Sequence, residues 1–174
     1  MDLKPLHHSA IGTALEKARH YRLLNDPENA ESICLDILEH EPDHEEALLT
    51  LILSLTDQFD GGSRIVKQAR EYLQRMKSEY QQEYLAGLIL ERAARAVMKR
   101  NTRQSAYTAW EWLTQAMENY EKAEALSADD NDDAILRWNA CARTIEKRKL
   151  TPRPADNYVQ PYGDGFPQAA EGHE

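Results

Sequence analysis

The chain has 174 residues, 41% of them apolar and 29% charged, which is the composition of a globular domain with a sizeable core. Its net charge of −9 argues against a general nucleic-acid-binding protein, and no apolar run approaches the roughly 18 residues that span a membrane. Residues 1–13 lack the basic and then apolar pattern of a secretory signal, so a cytoplasmic location is predicted.

Seven segments repeat apolar residues at three- and four-residue steps, which is the spacing of one face of an α-helix. The predicted helices cover about residues 9–24, 28–40, 43–55, 63–80, 82–100, 105–126 and 134–149. No segment shows the sustained alternation of apolar and polar residues that is typical of a half-buried strand. The sequence therefore predicts an all-α protein without a β-sheet.

Breakers and capping residues mark the ends of these predicted helices. Pro27 stands at the first position of the second helix, where its missing N–H costs nothing, and Pro42 stops that helix. Asp43 and Glu46 resemble a capping box at the start of the third helix. Residues 60–63 (Asp-Gly-Gly-Ser) predict a loop before the fourth helix.

The end of the chain has a different composition from the rest. Residues 151–174 contain four of the seven prolines and three of the seven glycines, and they show no helical period. Such a segment cannot form a regular helix and has few apolar residues to bury. We therefore predict two parts, a helical domain of residues 1–150 and a flexible tail of residues 151–174.

An internal repeat links the predicted helices. In the first hairpin a small residue, an aromatic, a small residue, a bulky residue and a proline follow one another as Ala18, Tyr21, Ala30, Cys34 and Pro42. This order resembles the tetratricopeptide repeat. Partial copies lie at Ala69, Leu73 and Met76, at Gly87, and at Ala116, Tyr120 and Ala123. The resemblance implies three antiparallel hairpins and a C-terminal capping helix, wound as a right-handed α-solenoid.

The resemblance also implies a mode of binding. In tetratricopeptide proteins the first helix of each hairpin lines a concave groove that holds a partner's peptide or helix. Carried over by register, the groove residues are Leu15, Arg19, Arg22, Leu49, Thr50, Leu53, Tyr84, Leu88, Glu91, Asn139 and Arg143. We therefore expect an adaptor or scaffold that binds another protein. A small assembly or secretion-type chaperone is the first alternative.

Charge is distributed unevenly along the chain. Residues 1–60 hold 13 acidic and 4 basic residues, whereas residues 61–103 hold 4 acidic and 10 basic residues. Five cations predict a basic tip on the third hairpin: Arg92, Arg95, Lys99, Arg100 and Arg103. A solvated helix end accounts for such charges, and so does a contact with an acidic partner or with RNA. An RNA-associated protein is thus the second alternative.

Patterns for catalysis, metals and cofactors are missing from the sequence. His40 and His44 are separated by Pro42, so they cannot share one helix as the histidines of a metalloprotease do. Residues 60–63 lack the Lys-Ser/Thr that completes a phosphate-binding loop. The carboxylates fall on predicted helix caps and solvated faces, where they do not support acid–base chemistry. We expect no enzymatic activity, no metal and no cofactor.

Overall fold

Seven α-helices make up most of the part of the chain that the structure describes. The computed structural model describes residues 3–60 and 63–154. The helices are α1 (Ile11–Leu23), α2 (Pro27–His40), α3 (Glu45–Asp57), α4 (Ser63–Leu73), α5 (Glu79–Met98), α6 (Arg103–Ala125) and α7 (Asp133–Arg148), and a short 3₁₀ helix at His8–Ala10 precedes α1. No strand occurs within the described ranges, which confirms the predicted all-α class.

Helix α4 is shorter than the sequence predicted. It ends at Leu73, not near residue 80, and α5 begins at Glu79. The cause is local, because the Ser78 side chain accepts a hydrogen bond from the Gln81 N–H at 3.3 Å and so caps α5. The spacing of Ser78 and Gln81 is that of a capping box, a signal that the apolar period between residues 63 and 80 concealed.

Two other helix starts use caps that were not predicted. At α3 the Nδ1 atom of His44, and not Asp43, accepts a hydrogen bond from the Ala47 N–H at 3.3 Å. At α6 Thr102 and Ser105 form a reciprocal capping box.

Helices that are adjacent in the chain pack against each other, and so do successive odd-numbered helices. Each helix contacts the next, and α5 with α6 forms the most extensive interface. In addition, α1 contacts α3, α3 contacts α5, and α5 contacts α7. Among the described residues, α2, α4 and α6 do not pack on one another to the same extent. The odd-numbered helices therefore form a continuous row.

Helix α5 belongs to two hydrophobic cores. The first core cluster draws on α1 to α5 and includes Leu88 and Ile89, whereas the second draws on α5 to α7 and includes Leu90 and Val97. A helix that is apolar on all sides must be buried on all sides. Because α5 contributes buried residues to both clusters, it joins helices α1 to α4 with helices α6 and α7.

The small residues of the sequence pattern are all buried. Ala18, Ala30, Ala69, Ala116 and Ala123 have no exposed surface. Gly87 has the closest neighbour, because a Cβ added there would lie 2.7 Å from the Tyr120 ring. Small side chains thus allow α5 and α6 to approach, and Tyr120 fills the space above Gly87.

The third hairpin, formed by α5 and α6, is longer than the first, formed by α1 and α2. Helices α5 and α6 have 20 and 23 residues, whereas α1 and α2 have 13 and 14. Helix α7 packs against both α5 and α6. The tip of the hairpin therefore does not stand alone, since the C-terminal half of α7 lies beside it.

Packing continues past the predicted domain boundary at residue 150. Leu150 packs against the second core cluster. The Arg153 side chain is only 3% exposed, and its Nε atom lies 3.7 Å from Glu111 on α6. The predicted loop residues 61–62 and the predicted tail from residue 155 onward lie outside the described residues.

Replacing Gly87 with alanine should destabilise the protein. Overpacking against Tyr120 costs about 1–3 kcal/mol, which exceeds the gain in helix propensity of about 1 kcal/mol. Gly12 is the matched control, because it is exposed on α1 and an added Cβ would meet nothing within 4 Å. In urea unfolding, Gly87→Ala should lower the midpoint and Gly12→Ala should leave it unchanged or raise it. Equal shifts would contradict the close contact.

The buried thiols of Cys34 and Cys141 should titrate only in strongly alkaline solution. Both are free and fully buried, and burial raises the pKa of each thiol to about 12. Because the unfolded thiols ionise near pH 9, their contribution to stability is complete below pH 9 and is lost as the pH rises towards 12.

Two measurements check this prediction. At pH 8 a thiol reagent should label neither cysteine in the folded protein and both in urea. The free energy of unfolding should fall above pH 9, and a Cys34→Ala/Cys141→Ala variant should show a shallower fall. Rapid labelling of the folded protein at pH 8 would refute the burial of these groups.

Candidate functional site

A carboxylate at the end of α3 joins the first three odd-numbered helices. Asp57 Oδ2 accepts a hydrogen bond from Arg22 Nε of α1 at 2.8 Å, and Asp57 Oδ1 pairs with Arg92 of α5. Arg92 also donates to the Thr56 hydroxyl at 2.7 Å. An acid at the C-terminus of a helix faces the negative end of the helix dipole. The two guanidinium groups offset that repulsion and tie α1, α3 and α5 together.

A second carboxylate joins α5, α6 and α7. The Glu91 side chain is only 1% exposed, and its Oε2 accepts a hydrogen bond from the Tyr120 hydroxyl at 2.7 Å. Its Oε1 lies 2.6 Å from Arg95 Nη2 and 3.5 Å from Arg137 Nη1. Burial raises the pKa of the Tyr120 phenol and the Glu91 charge adds to the rise, so the phenol stays a neutral donor. A buried carboxylate requires such partners.

Tyrosine rings extend this second cluster along α5. The rings of Tyr84 and Tyr120 have centroids 5.8 Å apart in a tilted arrangement, and those of Tyr80 and Tyr84 are stacked at 5.9 Å. Tyr84 also packs against the second core cluster, which includes Ala134 and Cys141 of α7. Tyr84 therefore supports the position of α7.

The predicted groove residues divide into three groups. Leu15, Thr50, Leu88 and Glu91 are buried; Arg22, Leu49, Leu53, Tyr84 and Asn139 are half-buried; Arg19 and Arg143 are exposed. Burial removes the first group from any binding surface, which corrects the prediction for these four residues. The position of these residues in the repeat identified the helix on which they lie. It could not show that neighbouring helices cover them.

The cations that remain on this face are partly paired. Arg19 lies 3.0 Å from Glu46 of α3, and both side chains are about half exposed or more, so their attraction is strongly screened by solvent. Arg22 is held by Asp57 as described above. The row of odd-numbered helices thus combines ion pairs with the half-buried apolar residues Leu49 and Leu53.

The predicted basic tip is not a single patch. Arg92 points to Asp57 at the α3–α5 contact, and Arg95 is paired with Glu91. Arg103 donates to the Tyr107 hydroxyl at 2.7 Å and covers that ring at 5.6 Å. Lys99 and Arg100 are exposed. Neighbours on α3 and α6 separate these cations, and the sequence of the segment alone did not show those neighbours.

Two of the predicted tip residues instead join a cleft between α5 and α7. The cleft has a volume of about 660 Å³. Its charged lining residues are Arg95, Lys99, Arg143, Lys147 and Arg148, and we call it the basic cleft. A predicted groove residue, Arg143, and two predicted tip residues, Arg95 and Lys99, therefore belong to one site.

Several members of these clusters were missed or misjudged from the sequence. Lys147 and Arg148 lie in the last turn of α7, where cations also offset the negative end of the helix dipole, and the sequence did not predict them as part of a site. The available signal was the four-residue spacing of Lys147 from Arg143 and of Lys99 from Arg95, because residues four apart share a helix face. Asp57 and Arg137 offered no local signal, since their partners lie far away in sequence.

Neither a metal-binding cluster nor a membrane-spanning helix occurs in the described part of the chain. No group of three or more histidine, cysteine or acidic residues there is placed to hold a metal ion. None of the described helices has both the length and the apolar character that crossing a bilayer demands. The distinctive features of the described surface are therefore the row of odd-numbered helices and the basic cleft.

Replacing Tyr120 with phenylalanine should destabilise the protein by about 1–3 kcal/mol, because Glu91 loses a buried hydrogen-bond donor while the ring volume is kept. The matched control is Tyr107→Phe on the same helix, which removes a hydrogen bond to the exposed Arg103 and should cost less than about 1 kcal/mol. Chemical unfolding followed by circular dichroism compares the two. Equal losses would show that Glu91 does not depend on the phenol.

No significant match to this chain was found among the models of protein families, the curated proteins or the solved structures. The function therefore has to be argued from the arrangement of the chain's own residues.

Proposed function

We propose that the chain is a tetratricopeptide-like right-handed solenoid that acts as a cytoplasmic adaptor and not as an enzyme. In this proposal it binds a segment of a partner protein on the face formed by α1, α3, α5 and α7. The observation that carries the proposal is the row of contacts α1–α3, α3–α5 and α5–α7. Such a row makes a continuous surface from four helices.

The chemistry of this face suits a peptide or a helix. Leu49, Leu53 and Tyr84 each pack on the first core cluster and keep part of their surface exposed. Fully burying a leucine side chain stabilises a complex by about 1.5–3 kcal/mol, so a few half-exposed apolar residues can anchor a partner. Arg19 on α1 and Arg143 on α7 are exposed and can select its register by charge.

Rigidity of the face supports the same proposal. Asp57 holds α1, α3 and α5, and Glu91 holds α5, α6 and α7. A surface whose helices are already fixed loses little conformational entropy when a partner binds. The RNA-associated alternative has less support, because Arg92 and Arg103 are engaged within the protein and do not extend a basic surface.

A pull-down from native extract tests the proposal with two matched variants. Leu53→Lys places a charge among the apolar residues of α3, and Leu35→Lys makes the same change at an exposed position of α2. We expect a partner protein to be captured by the wild type and by Leu35→Lys but to be lost with Leu53→Lys. Thermal unfolding of each variant establishes that it is folded.

Nuclease treatment of the extract provides the second control. Capture that survives Leu53→Lys would refute binding on this face. Loss of capture after nuclease treatment would transfer the function to nucleic acid.

A further inference from the structure

The basic cleft carries more positive charge than the stability of the helices requires. Arg95 on α5 and Lys99 at the C-cap of α5 are four residues apart, and Arg143 and Lys147 are four apart on α7. Like charges at this spacing repel each other. The negative ends of the two helix dipoles offset part of the repulsion. Among the described residues no aspartate or glutamate lines the cleft.

The walls of the cleft are held in place from inside the protein. Glu91 contacts Arg95 on one wall and Arg137 on the helix that forms the other wall. Glu91 contacts one nitrogen of the Arg95 guanidinium and so orients the side chain, which is still 50% exposed and accessible to a ligand. Cations that are positioned before a ligand arrives bind it with a smaller entropic cost.

The size and base of the cleft suit a short peptide. Its volume of about 660 Å³ lies within the range of roughly 300–1,000 Å³ that is typical of ligand clefts. Met98 lines it and packs against the second core cluster, and Thr144 adds a hydroxyl on the α7 side. Met98 can contact the methylene groups of aspartate or glutamate side chains, while the surrounding cations pair with their carboxylates.

We propose that the basic cleft binds an aspartate- and glutamate-rich segment of a partner protein. The proposal rests on the proposed function, because the cleft lies at the α5–α7 end of the same face. Guanidinium groups pair with carboxylates through two parallel hydrogen bonds, and the cleft offers three arginines. Ionic attraction supplies orientation and a fast association rate.

Nucleic acid fits the same charges less well. A polynucleotide needs a basic surface that follows its backbone over several phosphates. Here the five cations are confined to one cleft, whereas the chain as a whole carries a net charge of −9. Residues 1–60, with 13 acidic and 4 basic residues, would repel an extended polyanion.

The test measures binding of a fluorescein-labelled hexaglutamate peptide to the full chain by fluorescence anisotropy. Arg143→Glu/Lys147→Glu reverses two exposed cations of the cleft. Lys67→Glu/Lys122→Glu makes the same change in net charge at exposed positions of α4 and α6 that do not line the cleft. Hexalysine and a uridine hexanucleotide carry the same label and serve as the other probes.

We expect saturable binding of hexaglutamate that weakens roughly tenfold or more in the cleft variant and less than about twofold in the control variant. Rising salt concentration should weaken it as well. Arg143→Gln/Lys147→Gln only neutralises the charges and should weaken binding less than the charge reversal does. It replaces the reversal variant in the test if that variant does not fold. Hexalysine binding should not be weakened by Arg143→Glu/Lys147→Glu, because a polycation is attracted to the acidic residues of the chain and not to the basic cleft.

Three results would overturn the inference. These are the absence of hexaglutamate binding, equal weakening in the cleft and control variants, and tighter binding of the uridine oligonucleotide than of the peptide. A partner captured from extract in a Leu53-dependent way but unaffected by Arg143→Glu/Lys147→Glu would overturn the cleft alone and leave the adaptor standing. Peptide binding that depends on the cleft, together with the absence of any partner whose capture depends on Leu53, would overturn the adaptor and leave the cleft standing.

Discussion

A charged residue inside a helix that is buried on both sides constrains the rest of this molecule. Helix α5 contributes to both core clusters, and Glu91 lies between its two apolar surfaces with almost no exposure. A carboxylate in such a position is tolerated only when hydrogen bonds and opposite charges surround it. Tyr120 of α6, Arg95 of α5 and Arg137 of α7 supply them. The second half of the protein must therefore assemble around α5 in one arrangement.

The two carboxylates that bridge helices, Asp57 and Glu91, fix the positions of the odd-numbered helices relative to one another. Exchanging a buried ion pair for apolar side chains is often neutral or stabilising, so these contacts are weak evidence for stability. Apolar packing alone tolerates sliding of one helix along another, whereas a guanidinium must meet its carboxylate at one place. We infer that Asp57 and Glu91 set the spacing between α1, α3, α5 and α7, and a binding face needs such a constant spacing.

The structural network and the proposed binding surface share residues. Glu91 contacts Arg95 of α5, which lines the basic cleft, and Arg137 of α7, the helix whose last turns line the cleft opposite. The basic cleft needs both helices, since neither helix alone gathers five cations. The segment 92–103 accordingly has two uses: Arg92 stabilises the α3–α5 contact, while Arg95 and Lys99 remain at the surface of the cleft.

The sequence by itself determined the seven helices, the buried alanines at 18, 30, 69, 116 and 123, and the small residue at Gly87, because helical period and close packing depend on residues within a few turns. Where two local signals competed, as at residues 73–79, the cap at Ser78 was stronger than the apolar period and the predicted end of α4 was wrong. Only the tertiary structure decided which charges face a core, a partner helix or the solvent. Asp57 and Arg92 are 35 residues apart and Glu91 and Tyr120 are 29 apart, and register along one helix gives the direction of a side chain but not its distant neighbour.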